Sequence, residues 1–264
     1  MKIPFSPELI HLHGSLGIQN YGLFIIMGII ISTVCAYHNK RFKQLHLEKV
    51  FLDIIMIGII AGVVGGRFLV IISEPLLYPY WYDWFTLWEG GFSILGTLIG
   101  VIVTLPFYLK KINVPIIKFA DLVSIYAPLC QSIARLGCFV AGCCYGITTK
   151  SICAVIYTNP ETLAPYNIAL HPTQLYSSFI LFTLFIAMYC IGQRVCKKDG
   201  QLFIMYLTLA SLERFIIDFW RADRIMTTDY LSFHQLVALG IIILLAVFYY
   251  YLEFIAKTTK ITQR

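Results

Sequence analysis

Six ionisable residues lie within long apolar stretches of this chain or at their ends, where an unpaired charge is costly. They are Arg67, Arg135, Glu213, Arg214, Asp218 and Arg221. The i, i+4, i+7 spacing of Arg214, Asp218 and Arg221 predicts that they share one helix face. A guanidinium can hold a phosphate through two parallel hydrogen bonds. A surplus of arginines at one depth therefore predicts an anionic ligand, and the abundant anion in a membrane is a phospholipid headgroup.

An alternative explanation for these residues is that opposite charges pair with each other and hold neighbouring helices together. It accounts for Arg214 with Asp218, but it leaves the other arginines without obvious acidic partners at the same depth, apart from Glu213 and Glu89. Because intramembrane charges are usually functional, ligand binding is the preferred interpretation.

The composition indicates what kind of protein holds these charges. Hydrophobic residues make up 59% of the 264-residue chain and charged residues 13%, whereas soluble proteins carry roughly 25% charged residues. Several apolar runs reach the roughly 18 residues that span a bilayer. The sequence predicts an all-α polytopic membrane protein, with residues 1–264 forming a single transmembrane helical-bundle domain. About seven spans are expected, at Tyr21–Tyr37, Phe51–Ser73, Gly91–Leu109, Phe119–Cys138, Thr173–Cys190, Leu202–Arg221 and Leu231–Phe254.

The basic residues predict the orientation of these spans. The net charge of +6 is concentrated in short segments between apolar runs, at residues 38–49, 109–118, 193–201 and 256–264. The positive-inside rule then places the N-terminus outside and the C-terminus in the cytoplasm. Membrane topology therefore accounts for the positive net charge, and no nucleic-acid partner is predicted. The N-terminus lacks the charged start and cleavage site of a signal peptide, so the first apolar run is expected to be retained.

Six motifs, taken in order, resemble the prolipoprotein diacylglyceryl transferase family. They are NYGLFIIMG at Asn20–Gly28, GGRF at Gly65–Phe68, WEGGFSILG at Trp88–Gly96, ARLGCFVAGCCYG at Ala134–Gly146, HPTQLY at His171–Tyr176 and ERFIIDFWRAD at Glu213–Asp223. The resemblance covers almost the whole chain, and the HPTQLY and arginine–glycine motifs are the most specific.

The resemblance implies a seven-helix enzyme of the bacterial cytoplasmic (inner) membrane. That family moves the diacylglyceryl group of phosphatidylglycerol to the cysteine thiol of a prolipoprotein, and glycerol phosphate leaves. The implied partners are phosphatidylglycerol, prolipoprotein signal peptides and the membrane itself, with no cofactor and no metal.

Carried over by resemblance, the catalytic residues are Arg135, Arg214 and Tyr21, with Asp218 as the acidic partner of Arg214 and Gly146 closing the signature. The expected substrate-binding residues are Arg67, Gly146, Asp218, Arg221, His171, Gln174 and Tyr176.

The chain departs from the family pattern at several positions. Leu95 stands where the family has its active-site histidine, and Thr97 where a second glycine is usual. Cys138, Ala141 and Cys143 replace the usual Asn, Asn and Glu.

Because Leu95 replaces that histidine, the sequence does not identify which group accepts the proton of the attacking thiol. A free thiol has a pKa of about 8.5, and nearby arginines raise its ionised fraction, so a dedicated base is not required. His171 is the best remaining candidate, although His-Pro-Thr-Gln also reads as a helix start, which is the preferred interpretation. Glu89 and Glu213 are weaker candidates.

Four of the eight cysteines, Cys138, Cys143, Cys144 and Cys153, lie at or beyond the outer end of the fourth predicted span. The C-x₄-C-C spacing is not typical of zinc sites, and no histidine is near in sequence. Small packing residues with one disulfide at most are favoured over a metal site.

Three functions remain in competition at this point. The first is diacylglyceryl transfer, and the second is a weak paralogue that binds phospholipid or prolipoprotein without transfer; Leu95 separates them. The third, a small-molecule transporter, ranks last because the sequence lacks broken-helix pairs in two related halves.

Overall fold

Long helices form where the sequence has its apolar runs. The computed structural model describes residues 1–6, 8–11, 17–86 and 91–262. The helices within these residues are α1 Asn20–Tyr37, α2 Lys40–Gln44, α3 Phe51–Ser73, α4 Ile94–Lys111, α5 Ile116–Ala141, α6 Thr173–Ala187, α7 Gln193–Val195, α8 Gln201–Asp218 and α9 Phe233–Thr262. Five described stretches, on α1, α3, α5, α9 and the helical run 173–195, are long and apolar enough to cross a membrane. The chain is thus an all-α multi-pass membrane protein, as predicted; seven spans and an outside N-terminus stay predictions.

The helix ends differ from the predicted spans by a few residues. α5 is longer at both ends than the predicted segment Phe119–Cys138, and α8 ends at Asp218 instead of Arg221. The run that begins with α6 continues through a π-helical turn, Met188–Gly192, into α7. Large apolar side chains such as Phe179 on α6 and Leu244 on α9 are exposed, as expected for helices that contact lipid.

Two compact units make up the chain. The first contains residues Met1–Glu8, Gln19–Thr33 and Val123–Arg264, and the second contains Leu9–Ile18 and Val34–Leu122. The single bundle expected from the sequence stays a prediction.

In the second unit, small residues let α3 and α4 pack backbone to backbone. A methyl group added at Gly65 would overlap the backbone of Gly96 and Gly100, and one at Gly100 would overlap Ala61. Close approach through small residues is the usual way in which helices associate in a membrane, where the hydrophobic effect gives no help.

In the first unit, a small sheet fixes the end of α5. Strand β1 (Lys2–Ile3) pairs in parallel with β4 (Val155–Tyr157), which pairs antiparallel with β5 (Ala169–Leu170). Two further strands, β2 (Glu8–His11) and β3 (Gly17–Gln19), most of whose residues belong to the second unit, pair with each other. The buried core beneath the first sheet contains Phe139 of α5, and the Tyr157 hydroxyl donates to its carbonyl oxygen at 3.0 Å.

Candidate active site

Arg135 lies in the last two turns of α5, beside the start of α1. A Cβ atom added at Gly137 would be 2.8 Å from the Cβ atom of Phe24, and 3.3 Å from the carbonyl oxygen of Tyr21. The glycine two residues after Arg135 therefore lets α1 approach closely and places Tyr21 within electrostatic range of the guanidinium. Arg135 is partly exposed, and within the described residues its side chain has neither a hydrogen bond nor an ion pair.

Arg214 on α8 has an acidic partner one turn later. Its Nη2 atom lies 3.7 Å from Oδ1 of Asp218, whose side chain is fully buried. The hydroxyl of Ser232 donates a hydrogen bond to Oδ2 of the same carboxylate. Asp218 is thereby held from two helices, and it orients Arg214, which keeps 24% of its side chain exposed.

Ser232 and Gln235 form a capping box at the start of α9. The Ser232 hydroxyl accepts from the Gln235 backbone N–H at 3.2 Å, and the Gln235 side-chain oxygen accepts from the Ser232 N–H at 2.9 Å. The Gln235 amide also donates to the carbonyl oxygen of Phe215 on α8 at 3.3 Å. Reciprocal capping satisfies N–H groups that a helix start leaves without partners, and here it also ties α9 to the carboxylate that positions Arg214.

Arg221 does not share the helix face of Arg214 and Asp218, so that prediction was wrong. α8 ends at Asp218, and Arg221 forms an antiparallel β-bridge with Gly146. Its guanidinium binds both carboxylate oxygens of Asp223, at 2.9 and 2.7 Å. The chain leaves the helix because the backbone groups around Arg221 pair with the loop that follows α5: Ala222 donates to the Tyr145 carbonyl at 3.1 Å.

The structure brings the three arginines into one neighbourhood. Arg135 and Arg221 both repel the guanidinium of Arg214, and the attraction of Asp218 opposes them. Because like charges destabilise one another most in a poorly solvated site, an anion bound among them would relieve the repulsion. The arrangement suits a phosphate group.

The segment 171–176 braces the loop that follows α5. The backbones of Gly146 and His171 are hydrogen bonded at 3.0 Å. The Thr173 hydroxyl donates to the Cys144 carbonyl at 2.8 Å, and the Gln174 amide donates to the Cys143 carbonyl at 2.7 Å. Substrate binding by His171, Gln174 and Tyr176 stays a prediction.

His171 was the leading candidate for a proton acceptor. Its Nδ1 atom lies 3.2 Å from the Tyr176 hydroxyl, so the imidazole is turned towards α6. As favoured from the sequence, α6 begins two residues later, at Thr173, but no side chain caps it. Of the weaker candidates, Glu213 is buried and accepts a hydrogen bond from Ser177, whereas Glu89 lies outside the described residues.

Three cysteines converge where α5 ends and the following loop begins. The sulfur atoms of Cys138, Cys143 and Cys144 all lie within 4.8 Å of one another, and no described cysteine is in a disulfide. Gly142 and Cys144 have left-handed backbones, with φ of +75° and +58°, which fold the loop back over the end of α5. Hydrogen bonds from the Cys138 and Cys143 thiols lower the pKa of the Cys144 thiol, although burial opposes the shift, and Arg221 and Arg135 lower it further.

Comparison with known proteins identifies the family. The family model described as prolipoprotein diacylglyceryl transferase matches residues 7–251. This chain belongs to that family. The phosphatidylglycerol–prolipoprotein diacylglyceryl transferase of Clostridium tetani is 35% identical over 241 residues, which cover 90% of this chain and 94% of the relative. The transferase numbered 2 in Clostridium perfringens is 32% identical over 235 residues, or 86% of this chain and 88% of the relative. The Thermotoga maritima transferase is 30% identical over 217 residues, or 81% and 74%.

Arg67, expected to bind substrate in this transferase-family chain, lies in the second unit and is almost fully buried. Its guanidinium donates to the carbonyl oxygens of Asp83, at 2.6 Å, Thr86, at 3.2 Å, and Gly91, at 3.2 Å. It also stacks on the Tyr78 ring, 4.5 Å from the ring centroid. These contacts show Arg67 organising the aromatic segment that follows α3; a direct role in substrate binding stays a prediction.

Replacing Arg67 with alanine should therefore destabilise the segment between α3 and α4. The acceptor carbonyls are only partly buried, and a hydrogen bond from a charged donor contributes at most roughly 1.5–3 kcal/mol. We expect faster cleavage at residues 75–86 by an added protease, with Arg67→Lys giving only partial protection because an ammonium lacks the planar fork. Arg41→Ala, on the short helix α2 of the same unit, is the control. Cleavage equal to that of the unmodified protein would show that Arg67 does not hold this segment.

Leu95, at the family's histidine position, lies in the first turn of α4, and its side chain is 61% exposed. Three features of the site in the first unit were not among the predictions from the sequence. The sequence Ser-x-x-Gln at residues 232–235 matches the capping-box motif and could have predicted the start of α9. Asp223 is two residues after Arg221 and could have been predicted to pair with it. The sequence placed the three cysteines near the end of one predicted span, but it did not predict that their sulfur atoms converge.

Proposed function

We propose that this protein transfers the diacylglyceryl group of phosphatidylglycerol to the lipobox cysteine thiol of prolipoproteins, at the outer half of the bacterial cytoplasmic membrane. The observation that carries the proposal is the convergence of Arg135, Arg214 and Arg221 in a member of this transferase family. Simple charge pairing does not explain it, since within the described residues Arg135 has no acidic partner.

The reaction needs a held phosphate and a thiolate. The sulfur attacks the glycerol carbon that bears the phosphate, a C–S bond forms, and the C–O bond breaks with its electron pair going to glycerol phosphate. Arg135 and Arg214 stabilise the charge that develops on the leaving phosphate. Donors preorganised in a poorly solvated site contribute about 10²–10³ in rate each.

A largely apolar groove formed partly by α5, the helix that carries Arg135, suits the acyl chains. It runs between α5 and α6 of the first unit, and its walls include Ile133 and Leu136, which flank Arg135 in sequence, and Phe179 and Phe182. In the proposed complex, the phosphate binds the Arg135 guanidinium and the diacylglyceryl chains occupy this groove.

The test is transfer by the purified, full-length protein in phospholipid vesicles. Phosphatidylglycerol labelled in its acyl chains is mixed with a synthetic lipobox peptide. We expect the label to appear on the peptide in a thioether that resists base treatment, and not on a peptide with serine in place of cysteine. If phosphatidylglycerol binds but no label moves, the protein is a binding paralogue and the proposal fails.

A cell-based test asks the same question under native conditions. Expression of this protein in a strain depleted of its own transferase should restore growth and the lipid modification of prolipoproteins. Failure to restore either, with the protein present in the membrane, would contradict the proposed function.

A further inference from the structure

The three-thiol cluster is not accounted for by phosphate binding. Its sulfur atoms belong to Cys138, at the end of α5, and to Cys143 and Cys144, in the loop beyond it. Cys138 is buried, and the other two are partly buried. Thiols that serve only as packing residues need not direct their sulfur atoms towards one point.

The spacing of the sulfurs fits a bound metal. A tetrahedral zinc ion with Zn–S bonds of about 2.3 Å holds its sulfur ligands about 3.8 Å apart. The separations in this cluster do not exceed 4.8 Å, so small side-chain rotations suffice to close them on one ion. Cys143 and Cys144 are adjacent, and Cys144 has a left-handed backbone with a φ of +58°; both sulfur atoms lie within 4.8 Å of the Cys138 sulfur.

The Cys143 thiol donates to the Cys138 carbonyl at 3.7 Å, but the loop is also held in this form by contacts that do not use the thiols. Thr173 and Gln174 donate to the carbonyls of Cys144 and Cys143, and the Cys143 backbone N–H donates to the Cys138 carbonyl at 3.2 Å. A cysteine-to-serine change would therefore remove a sulfur ligand and leave the bracing of the loop in place.

The charge around the cluster also suits a metal bound by three thiolates. Three thiolates around a divalent ion leave a net charge of −1, and Arg135 and Arg221 lie within electrostatic range of Cys144. Soft thiolate ligands select zinc over magnesium or calcium. We propose that Cys138, Cys143 and Cys144 bind a zinc ion, with the fourth ligand position open towards the arginine site.

The open position gives the ion a role that rests on the proposed function. Sites with three protein ligands keep the fourth for water or substrate, and a coordinating thiol is deprotonated outright. The lipobox thiol would bind zinc in place of water and release its proton to solvent. Its sulfur would then attack the glycerol carbon, the C–O bond would break towards phosphate, and the thioether product would leave the ion. This route supplies the thiolate without the histidine that Leu95 replaces.

Cobalt(II) is the probe for the metal site itself. The full-length protein, purified in detergent with reductant and stripped of metal by a chelator, is titrated with Co²⁺. We expect one equivalent to bind with a sulfur-to-cobalt charge-transfer band and tetrahedral visible bands, and Zn²⁺ to displace it. Cys143→Ser and Cys138→Ser should weaken binding by more than about 100-fold, whereas Cys153→Ser should bind as the unmodified protein does. Size-exclusion profiles and melting temperatures show whether each variant is folded.

Two further measurements separate the site from its role. Addition of lipobox peptide should shift the cobalt bands, and the serine peptide should leave them unchanged; this readout needs no transfer. Absence of a thiolate–cobalt band, or a Cys138–Cys143 disulfide that persists under reductant, overturns the metal site. A band that the peptide does not shift overturns the open position. Loss of transfer with an intact, peptide-responsive cobalt site counts against the proposed function alone.

Discussion

Replacing Arg135 with alanine is expected to lower the rate of diacylglyceryl transfer by about 100- to 1,000-fold and to leave the melting temperature almost unchanged. In the proposed reaction, the rate falls because the variant lacks the guanidinium that stabilises the charge developing on the leaving phosphate. Stability is kept because, within the described residues, Arg135 makes no hydrogen bond or ion pair that the change would break. The measurement is initial rate with labelled phosphatidylglycerol, alongside thermal unfolding followed by size exclusion.

The same change at Arg214 should have a different outcome, and the contrast is informative. Arg214→Ala removes the cation beside the buried carboxylate of Asp218, so both the rate and the melting temperature should fall. Arg135→Lys should recover only part of the rate, because an ammonium cannot form two parallel bonds to one phosphate. Arg194→Ala, on the exposed side of α7, is the control and should behave as the unmodified protein. Transfer that survives Arg135→Ala would remove this residue from the active site.

The helices and the charged residues within them could be predicted from the sequence, because both follow from the cost of burying polar groups in lipid. Apolar runs of span length had to become helices. Arginines within or at the ends of those runs were expected to have a function, and Arg135 and Arg214 lie within electrostatic range of each other. These inferences require no knowledge of which helices are neighbours.

Features that depend on contacts between distant segments could not be predicted. β1 is two residues long, and Lys2 is in register with Ile156, a pairing for which so short a strand has no periodic signal. Three of the acceptors of Arg67 are backbone carbonyls, which every residue has, so residue types could not reveal them. The i, i+4, i+7 rule failed at Arg221 because the helix ends where the loop residues Tyr145 and Ile147 offer competing backbone partners.

The second large effect is expected at Gly146, where the addition of one methyl group should impair the whole site. A Cβ atom there would lie 2.6 Å from both the Cβ atom and the carbonyl oxygen of His171, and 2.9 Å from Cγ2 of Thr173. These neighbours are backbone or stiff side chains, so the loop itself must shift. Overpacking of this kind costs about 1–3 kcal/mol, and we expect Gly146→Ala to lower the melting temperature by several degrees.

The shift at Gly146 would also reach the functional groups, because this glycine bridges to Arg221 and follows the cysteine pair. Gly146→Ala should therefore lower the transfer rate by at least about 10-fold at temperatures where the protein is still folded, a loss of at least about 1.4 kcal/mol in transition-state stabilisation. Gly240→Ala is the matched control, since a Cβ atom at that helical position meets nothing within 4 Å. A folded Gly146→Ala variant with full activity would mean that the loop tolerates displacement, and that the positions of Arg221 and the cysteines do not limit the reaction.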